Sequence, residues 1–387
     1  MTSLRGKAAI AGVATAACGE APGRSEMEIL AEAARGAVLD AGLKMSDVDG
    51  VLTSSTTSFF PTMAVAEYLG IRPAFSDTNS IGGSSFVSHL IPAVLALEAG
   101  LADVMLIAYG SNQRTGMGRA DMGRLKSQLD PVTHEAPYRP FNPATSYALA
   151  AARHMHQYGT TREQLAEVAV AARMWAQKNP EAFMRDPLDM SDVLNSRMVS
   201  DPLTVRDCCL VTDGGGAFIL TRADRAKSLA RPPVFVLGMA AAHWHRQISQ
   251  MPDLTVTAAT ESGAKACAMA GVKPADIDVV ELYDAFTINT ILFLEDLGFC
   301  KKGEGGQFVG DGNIAPGGNL PVNTNGGGLS CVHPGMYGIF TIIEAVRQLR
   351  NAAQDRQIAG ANVALCHGNG GVLSSQVTAI LGTAATL

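Results

Sequence analysis

The feature that most restricts this chain is a repeated segment. Ala41-Gly-Leu-Lys-Met-Ser-Asp47-Val-Asp49-Gly-Val51 returns as Ala270-Gly-Val-Lys-Pro-Ala-Asp276-Ile-Asp278-Val-Val280. Alanine, glycine, lysine and both aspartates coincide, and each copy lies between an amphipathic helical pattern and a short apolar run of strand type. Self-similarity of this kind signals a duplicated architecture. At 387 residues the chain is also longer than one ordinary core fills. Two halves follow, residues 1–230 and 231–387, joined across the charged, proline-ended stretch Ala223 to Pro233.

Within the first half, Ala8 to Val13, Gly50 to Thr53 and Val104 to Gly110 read as strands. Met27 to Ala41, ended by Gly42, and Phe86 to Ala99 read as helices. This β/α alternation predicts a layered α/β protein. From about 111 to 200 the rhythm is lost, and an inserted lid is expected there, with helices near 144–158 and 162–179. Long irregular loops inside compact folds are usually functional. The lid's methionines fit either an apolar channel or simple gap filling. Leu203 to Leu220 returns to the core through Asp213-Gly-Gly-Gly-Ala. Asp47, Asp49, Asp276 and Asp278 read as turn and cap residues.

Composition excludes several classes. A net charge of −6 offers no basic footprint for nucleic acid, and no apolar run is long enough to span a bilayer. Seven scattered cysteines suit a reducing cytoplasm better than a disulfide framework, and no spacing resembles a metal site. Cys208 and Cys209 read as small core hydrophobes, and His134, His154 and His156 as surface or lid packing. Arg114, Arg119 and Arg124 read as solvated lid charge rather than a phosphate cradle.

Chemistry concentrates late in the chain. Asn323-Thr-Asn325-Gly-Gly327-Gly-Leu-Ser-Cys-Val-His333-Pro-Gly-Met-Tyr337 is a glycine-rich loop feeding a helix from Ile339 to Leu349. Glycines allow close backbone approach, and unpaired N–H groups at a helix start favour developing negative charge. A second segment, Cys366-His367-Gly368-Asn369-Gly370-Gly371, repeats the thiol–imidazole pairing and reads as a facing wall. By the internal symmetry, the turn Gly82-Gly83-Ser84-Ser85 is the counterpart of the His333 turn, so two helix starts should face one another.

These segments together resemble the thiolase superfamily over nearly the whole chain. Asn323 to Pro334 resembles its histidine-presenting loop, Cys366 to Gly371 its C-terminal cysteine–glycine motif, and Asp213-Gly-Gly-Gly-Ala the close of its first half. Glu281-Leu-Tyr283-Asp-Ala-Phe286 resembles the segment that offers Asn or His to the site. The resemblance is greatest to the sterol-carrier branch of lipid-transfer thiolases. It implies a five-layered αβαβα fold, a homodimer, acyl-CoA substrates with no other cofactor, and in some relatives a small zinc-ribbon/OB-fold partner.

One departure is decisive. Where the resemblance places a nucleophilic cysteine, counting back from Gly100 and Asp103 lands on Gly83, or on Ser84 with one gap. A serine is a weak nucleophile without a base beside it. Tyr283 and Tyr337 beside His333 instead resemble the retro-aldolases of this branch. The expected machinery is His333 and the Gly368 N–H on an enolate oxygen, Tyr283 or Tyr337 as proton acceptor, and Cys366 as proton donor to carbon. Gly83, Ser84, Asn325 and Gly327 complete the expected binding turn. Acyl transfer through Cys366, or a CoA-binding subunit active only with a partner, are the alternatives. The apolar lid points to a bulky acyl group, such as a steroid side chain or an aromatic acid.

Overall fold

The computed structural model describes residues 4–116 and 133–387. The first half runs β1 Ala8–Gly19, α1 Glu26–Asp40, β2 Gly50–Thr53, α2 Pro61–Leu69, β3 Phe75–Thr78, α3 Ser85–Ser88, α4 Leu90–Glu98 and β4 Val104–Ser111. Then come α5 Ala144–Tyr158, α6 Arg162–Gln177, α7 Met190–Leu194, the small strands β5 Met198–Ser200 and β6 Leu203–Thr204, β7 Asp213–Arg222 and α8 Ala223–Ala226. The second half has β8 Val234–His243, α9 Ala259–Ala270, β9 Val279–Leu282, α10 Thr287–Asp296, α11 Gly305–Val309, α12 Gly338–Leu349, β10 Val363–Gly370 and β11 Ser375–Gly382. Met117, Arg119, Met122 and Arg124 of the expected lid lie outside the described residues. Arg114 is engaged by Glu20 and Phe183.

The main sheet has the order β3-β2-β4-β7-β1-β8-β11-β10-β9. It is two copies of one pattern meeting at the short antiparallel β1–β8 contact. β2 is parallel to β3 and β4, while β7 runs antiparallel to both β4 and β1. In the second half β9 is parallel to β10, and β11 runs antiparallel to both β10 and β8. The place of β3 is taken by a single parallel bridge, Val280 to Val322.

The repeated aspartates explain why the copies fold alike. Asp47 Oδ2 accepts the Lys44 N–H at 2.8 Å, and Asp276 Oδ2 accepts the Lys273 N–H at 2.7 Å. Asp49 accepts the N–H groups of Asp103 and Val104 at the start of β4, and Asp278 those of Asn362 and Val363 at the start of β10. Each aspartate pair therefore fastens one strand entry to its neighbour, satisfying backbone donors that would otherwise need water.

Alternation along the strands builds the layers. In β4, Val104, Leu106 and Ala108 face α1, whereas Met105 and Ile107 face inward. α1 covers the first half-sheet and α9 the second. Between them lie α3, α4 and α12: α4 and α12 touch strands of both halves, and α3, from the first half, packs on β8, β10 and β11 of the second. The result is the expected αβαβα stack. α1 starts at a capping box between Ser25 and Glu28. α12 is buried nearly all round, as a central-layer helix must be. Its terminal Arg347 pairs with Glu181, and Arg350 with Asp40. Among the described residues no helix is long and apolar enough to cross a membrane.

Candidate active site

The two helix starts do meet. A Cβ on Gly338, the first residue of α12, would lie 2.2 Å from the Gly83 carbonyl oxygen, so the chains touch backbone to backbone. A Cβ on Gly370 would lie 1.7 Å from the Ile81 oxygen, and one on Gly82 2.6 Å from the Gly371 nitrogen. Glycine is required at these contacts because any side chain would wedge the turns apart.

Between these turns stand Tyr283 and His333. Tyr283 Oη lies 3.0 Å from His333 Nε2 and 3.2 Å from the Gly335 carbonyl. The rings meet edge to face at 5.5 Å. Tyr283 follows β9 and is set by its N–H bond to the His367 carbonyl. His333 is set from behind by its N–H bond to Thr212 Oγ1 at 2.9 Å. Burial raises the Tyr283 phenol well above its ordinary range, partly offset by the Tyr337 backbone N–H. Burial also pulls the His333 imidazole down to about 4, so it is neutral at physiological pH.

The missing nucleophile has a physical counterpart. A Cβ built on Gly83 would fall 2.0 Å from Tyr283 Cε2 and 2.5 Å from its oxygen. The tyrosine ring occupies the space that a side chain at position 83 would need. Ser84 is not a substitute, because its hydroxyl is bound to the Ile81 carbonyl at 3.0 Å and to Ser375 Oγ at 2.7 Å.

Tyr337 joins the site through its ring, edge-on to Tyr283 at 5.6 Å. Its hydroxyl points away, donating to Asn325 Oδ1 at 2.9 Å. The same oxygen accepts the Gly327 N–H at 2.7 Å. Asn325 and Gly327 thus brace Tyr337 and the loop, and neither of those two groups is free for an oxyanion. Gly368 packs against Ser84, where a Cβ would lie 3.0 Å from its Cα.

Cys366 makes no hydrogen bond to Tyr283 or His333. It stands opposite Glu281 in the sheet, one pleat below Gly368, and is fully buried. Its thiol bonds the Thr341 carbonyl at 3.5 Å, and burial raises its pKa well above the usual thiol range. His367, its neighbour, faces the opposite side of the strand, with Nδ1 2.9 Å from Thr378 Oγ1 and Nε2 2.8 Å from Gln376 Oε1. Adjacent strand residues point to opposite faces, so Cys366 and His367 do not share one face of β10.

Three further groups belong to the site. Asp284, fully buried, accepts the Gly328 N–H at 2.6 Å and the Leu329 N–H at 3.3 Å, pinning the loop that carries His333. Burial pushes its carboxyl up to about 7, against the pull of those bonds. Cys209 packs against the main hydrophobic core, as its sequence context suggests. It is half-buried, donates its N–H to the Ala285 carbonyl at 2.8 Å, and lies near enough to Tyr283 and Tyr147 to help raise both phenols. Tyr147 of α5 stacks on Phe286 at 4.4 Å. His154, by contrast, is buried away from the site between Thr160 and Glu295.

Residues 240–383 match the thiolase C-terminal domain-like family. The chain is 35% identical to a steroid side-chain-cleaving aldolase of Thermomonospora curvata, covering 96% of this chain and 97% of the relative. It is 35% identical to the 17-hydroxy-3-oxo-4-pregnene-20-carboxyl-CoA lyase of Mycobacterium tuberculosis, covering 96% and 98%. Among solved structures, the Ltp2-ChsH2(DUF35) aldolase superposes with a TM-score of 0.88 at 34% identity over 98% of both chains. The chain therefore belongs to the thiolase superfamily, in the sterol-carrier-protein-like branch that includes the side-chain-cleaving aldolases.

Proposed function

We propose that this protein is a lyase that cleaves a β-hydroxyacyl-CoA by a retro-aldol reaction, releasing a ketone or aldehyde and a shortened acyl-CoA without an acyl-enzyme. The observation that carries this reading is the Tyr283 ring filling the position beside Gly83, in hydrogen-bond contact with His333. With the imidazole neutral, Tyr283 gives its proton to Nε2 as its oxygen takes the proton of the substrate β-hydroxyl. The Cα–Cβ bond then breaks, its electron pair passing to the thioester as an enolate while the hydroxyl carbon becomes a carbonyl. The imidazolium stabilises the enolate and returns the proton to Cα, so atoms and charge balance without a second acid. Neither a buried phenol nor a buried imidazole ionises readily alone, so the proton must move in concert with the developing enolate charge.

The names of the relatives favour a steroid side chain as the acyl group. Acyl transfer through Cys366 is disfavoured by its thiol being bonded to the Thr341 carbonyl and held protonated by burial. We further propose a homodimer formed along β3, the free edge of the sheet, next to which Phe59, Phe60 and Met63 are exposed. A small zinc-ribbon/OB-fold partner remains part of this reading, supported by the two-component make-up of the matching Ltp2-ChsH2(DUF35) aldolase. Seven unpaired cysteines fit the cytoplasm.

The test is a product assay on matched 3-hydroxyacyl-CoA and 3-oxoacyl-CoA, with and without free CoA. Carbonyl release from the hydroxy compound without free CoA is expected, with no acylated cysteine by mass spectrometry. Tyr283→Phe should lose about 100-fold or more in kcat, and Tyr337→Phe less, because its hydroxyl serves Asn325. Turnover of the oxo compound alone, dependent on free CoA and leaving an acylated cysteine, would overturn the reading.

A further inference from the structure

An unbroken, one-directional line of hydrogen bonds, buried until its last step, ends on the backbone corner behind Gly83. Ser262 and Thr378 hydroxyls lie 2.9 Å apart, and Thr378 Oγ1 lies 2.9 Å from His367 Nδ1. His367 Nε2 is 2.8 Å from Gln376 Oε1. Gln376 Nε2 donates to Asn369 Oδ1 at 2.8 Å, and Asn369 Nδ2 to Tyr147 Oη at 2.8 Å. Tyr147 donates in turn to the Gly371 carbonyl at 3.0 Å. The two amides fix the sense: Gln376 offers its oxygen to His367, so Nε2 carries the proton and Nδ1 accepts from Thr378. Every donor then points toward Gly371.

Gly371 is where that order matters. Its nitrogen, with Gly370 Cα, lies under Gly82, and Gly370 lies under Ile81 and Ser84. The corner and the Gly82–Ser84 turn fit backbone to backbone, so a displacement of one carries the other and Gly83 with it. Gly83 in turn abuts the Tyr283 ring. Tyr147 comes from α5 in the inserted region, and its ring is fixed independently against Phe286.

We propose that Tyr147 is a positioning residue for the reaction: through Asn369 and the Gly371 carbonyl it holds the end of β10 against the Gly82–Ser84 turn, keeping Gly83 in register with Tyr283. The kinetic arm of this inference rests on the lyase reading; the structural arm does not. Tyr147→Phe keeps the stacked ring and removes the bond to Gly371. Amide hydrogen exchange of Tyr147→Phe should rise in the peptides spanning 81–88 and 366–374 and nowhere else in the second half-sheet. With a 3-hydroxyacyl-CoA, kcat should fall about 10- to 100-fold while KM stays within about 2-fold, the loss expected when reacting groups shift without losing substrate contacts. Asn369→Leu should act alike, and the double variant should be no worse than the worse single one. Unchanged exchange at the corner, unchanged kcat, or losses that multiply in the double variant would each overturn the proposal. Should the unmodified enzyme cleave nothing, the lyase reading fails, while the exchange measurement still decides whether Tyr147 holds the corner.

Discussion

Gly83→Ala is the smallest change that interrogates the whole site. The new methyl carbon would start 2.0 Å from Tyr283 Cε2 and 2.5 Å from Cζ and Oη. Carbon atoms in contact settle at about 3.5–4 Å, so ring and methyl must separate by about 1.5–2 Å. Tyr283 is buried to 4% exposure and flanked by the rings of His333 and Tyr337. It has little room, and the 3.0 Å contact with His333 is the first to go. Gly83 does not have a left-handed backbone, so alanine itself is conformationally acceptable there. The penalty therefore comes from overpacking, about 1–3 kcal/mol, plus about 1 kcal/mol for the lost hydrogen bond. Urea denaturation should show about 2–4 kcal/mol of destabilisation, and turnover should fall about 100-fold, since a misplacement near 1 Å costs about that much. In a Tyr283→Ala background the methyl meets no ring, and the same substitution should cost less than about 0.5 kcal/mol. A Gly83→Ala protein with native stability and turnover would refute the claim that Tyr283 occupies this space. A penalty equally large without the ring would refute it too.

Three other outcomes follow from the geometry. Asp284→Ala strips two buried N–H groups of their acceptor and should destabilise the protein by about 2–4 kcal/mol in chemical denaturation, with stability recovered in part by Asp284→Asn. Burial holds His89, His333 and His367 each at about 4. The unfolded chain takes up these protons near pH ~6.5, so stability should fall as pH drops from there toward about 4; in a pH series of denaturation midpoints, His89→Leu should flatten this limb by about one third. Charging the edge with Phe59→Glu and Phe60→Glu should convert a dimer into monomers in light scattering without changing the circular dichroism of the chain.

The repeat around Asp47 and Asp276 was sufficient to foretell the duplicated halves, because each aspartate acts on backbone a few residues away or on the adjacent strand entry. The glycines of the Gly82 and His333 turns foretold facing helix starts, since only close backbone approach requires so many. Tyr283 and His333 were legible for the same reason: each sits at a fixed step from a local motif. What followed the motif by one residue was not. Cys366 and His367 look alike as candidates in a string of letters, yet strand alternation and the packing of α12 send one to the Thr341 carbonyl and the other to Gln376. Cys209 reads as core filler and does pack against the core, but its bond to the Ala285 carbonyl, 76 residues on, has no local signal. Tyr147 had no local signal at all, because its partners Asn369 and Gly371 lie 222 and 224 residues away. Local chemistry and periodicity are written in neighbouring residues. Which face a side chain takes, and whose space it fills, is decided by register and by contacts across the layers, and these exist only once the chain has closed on itself.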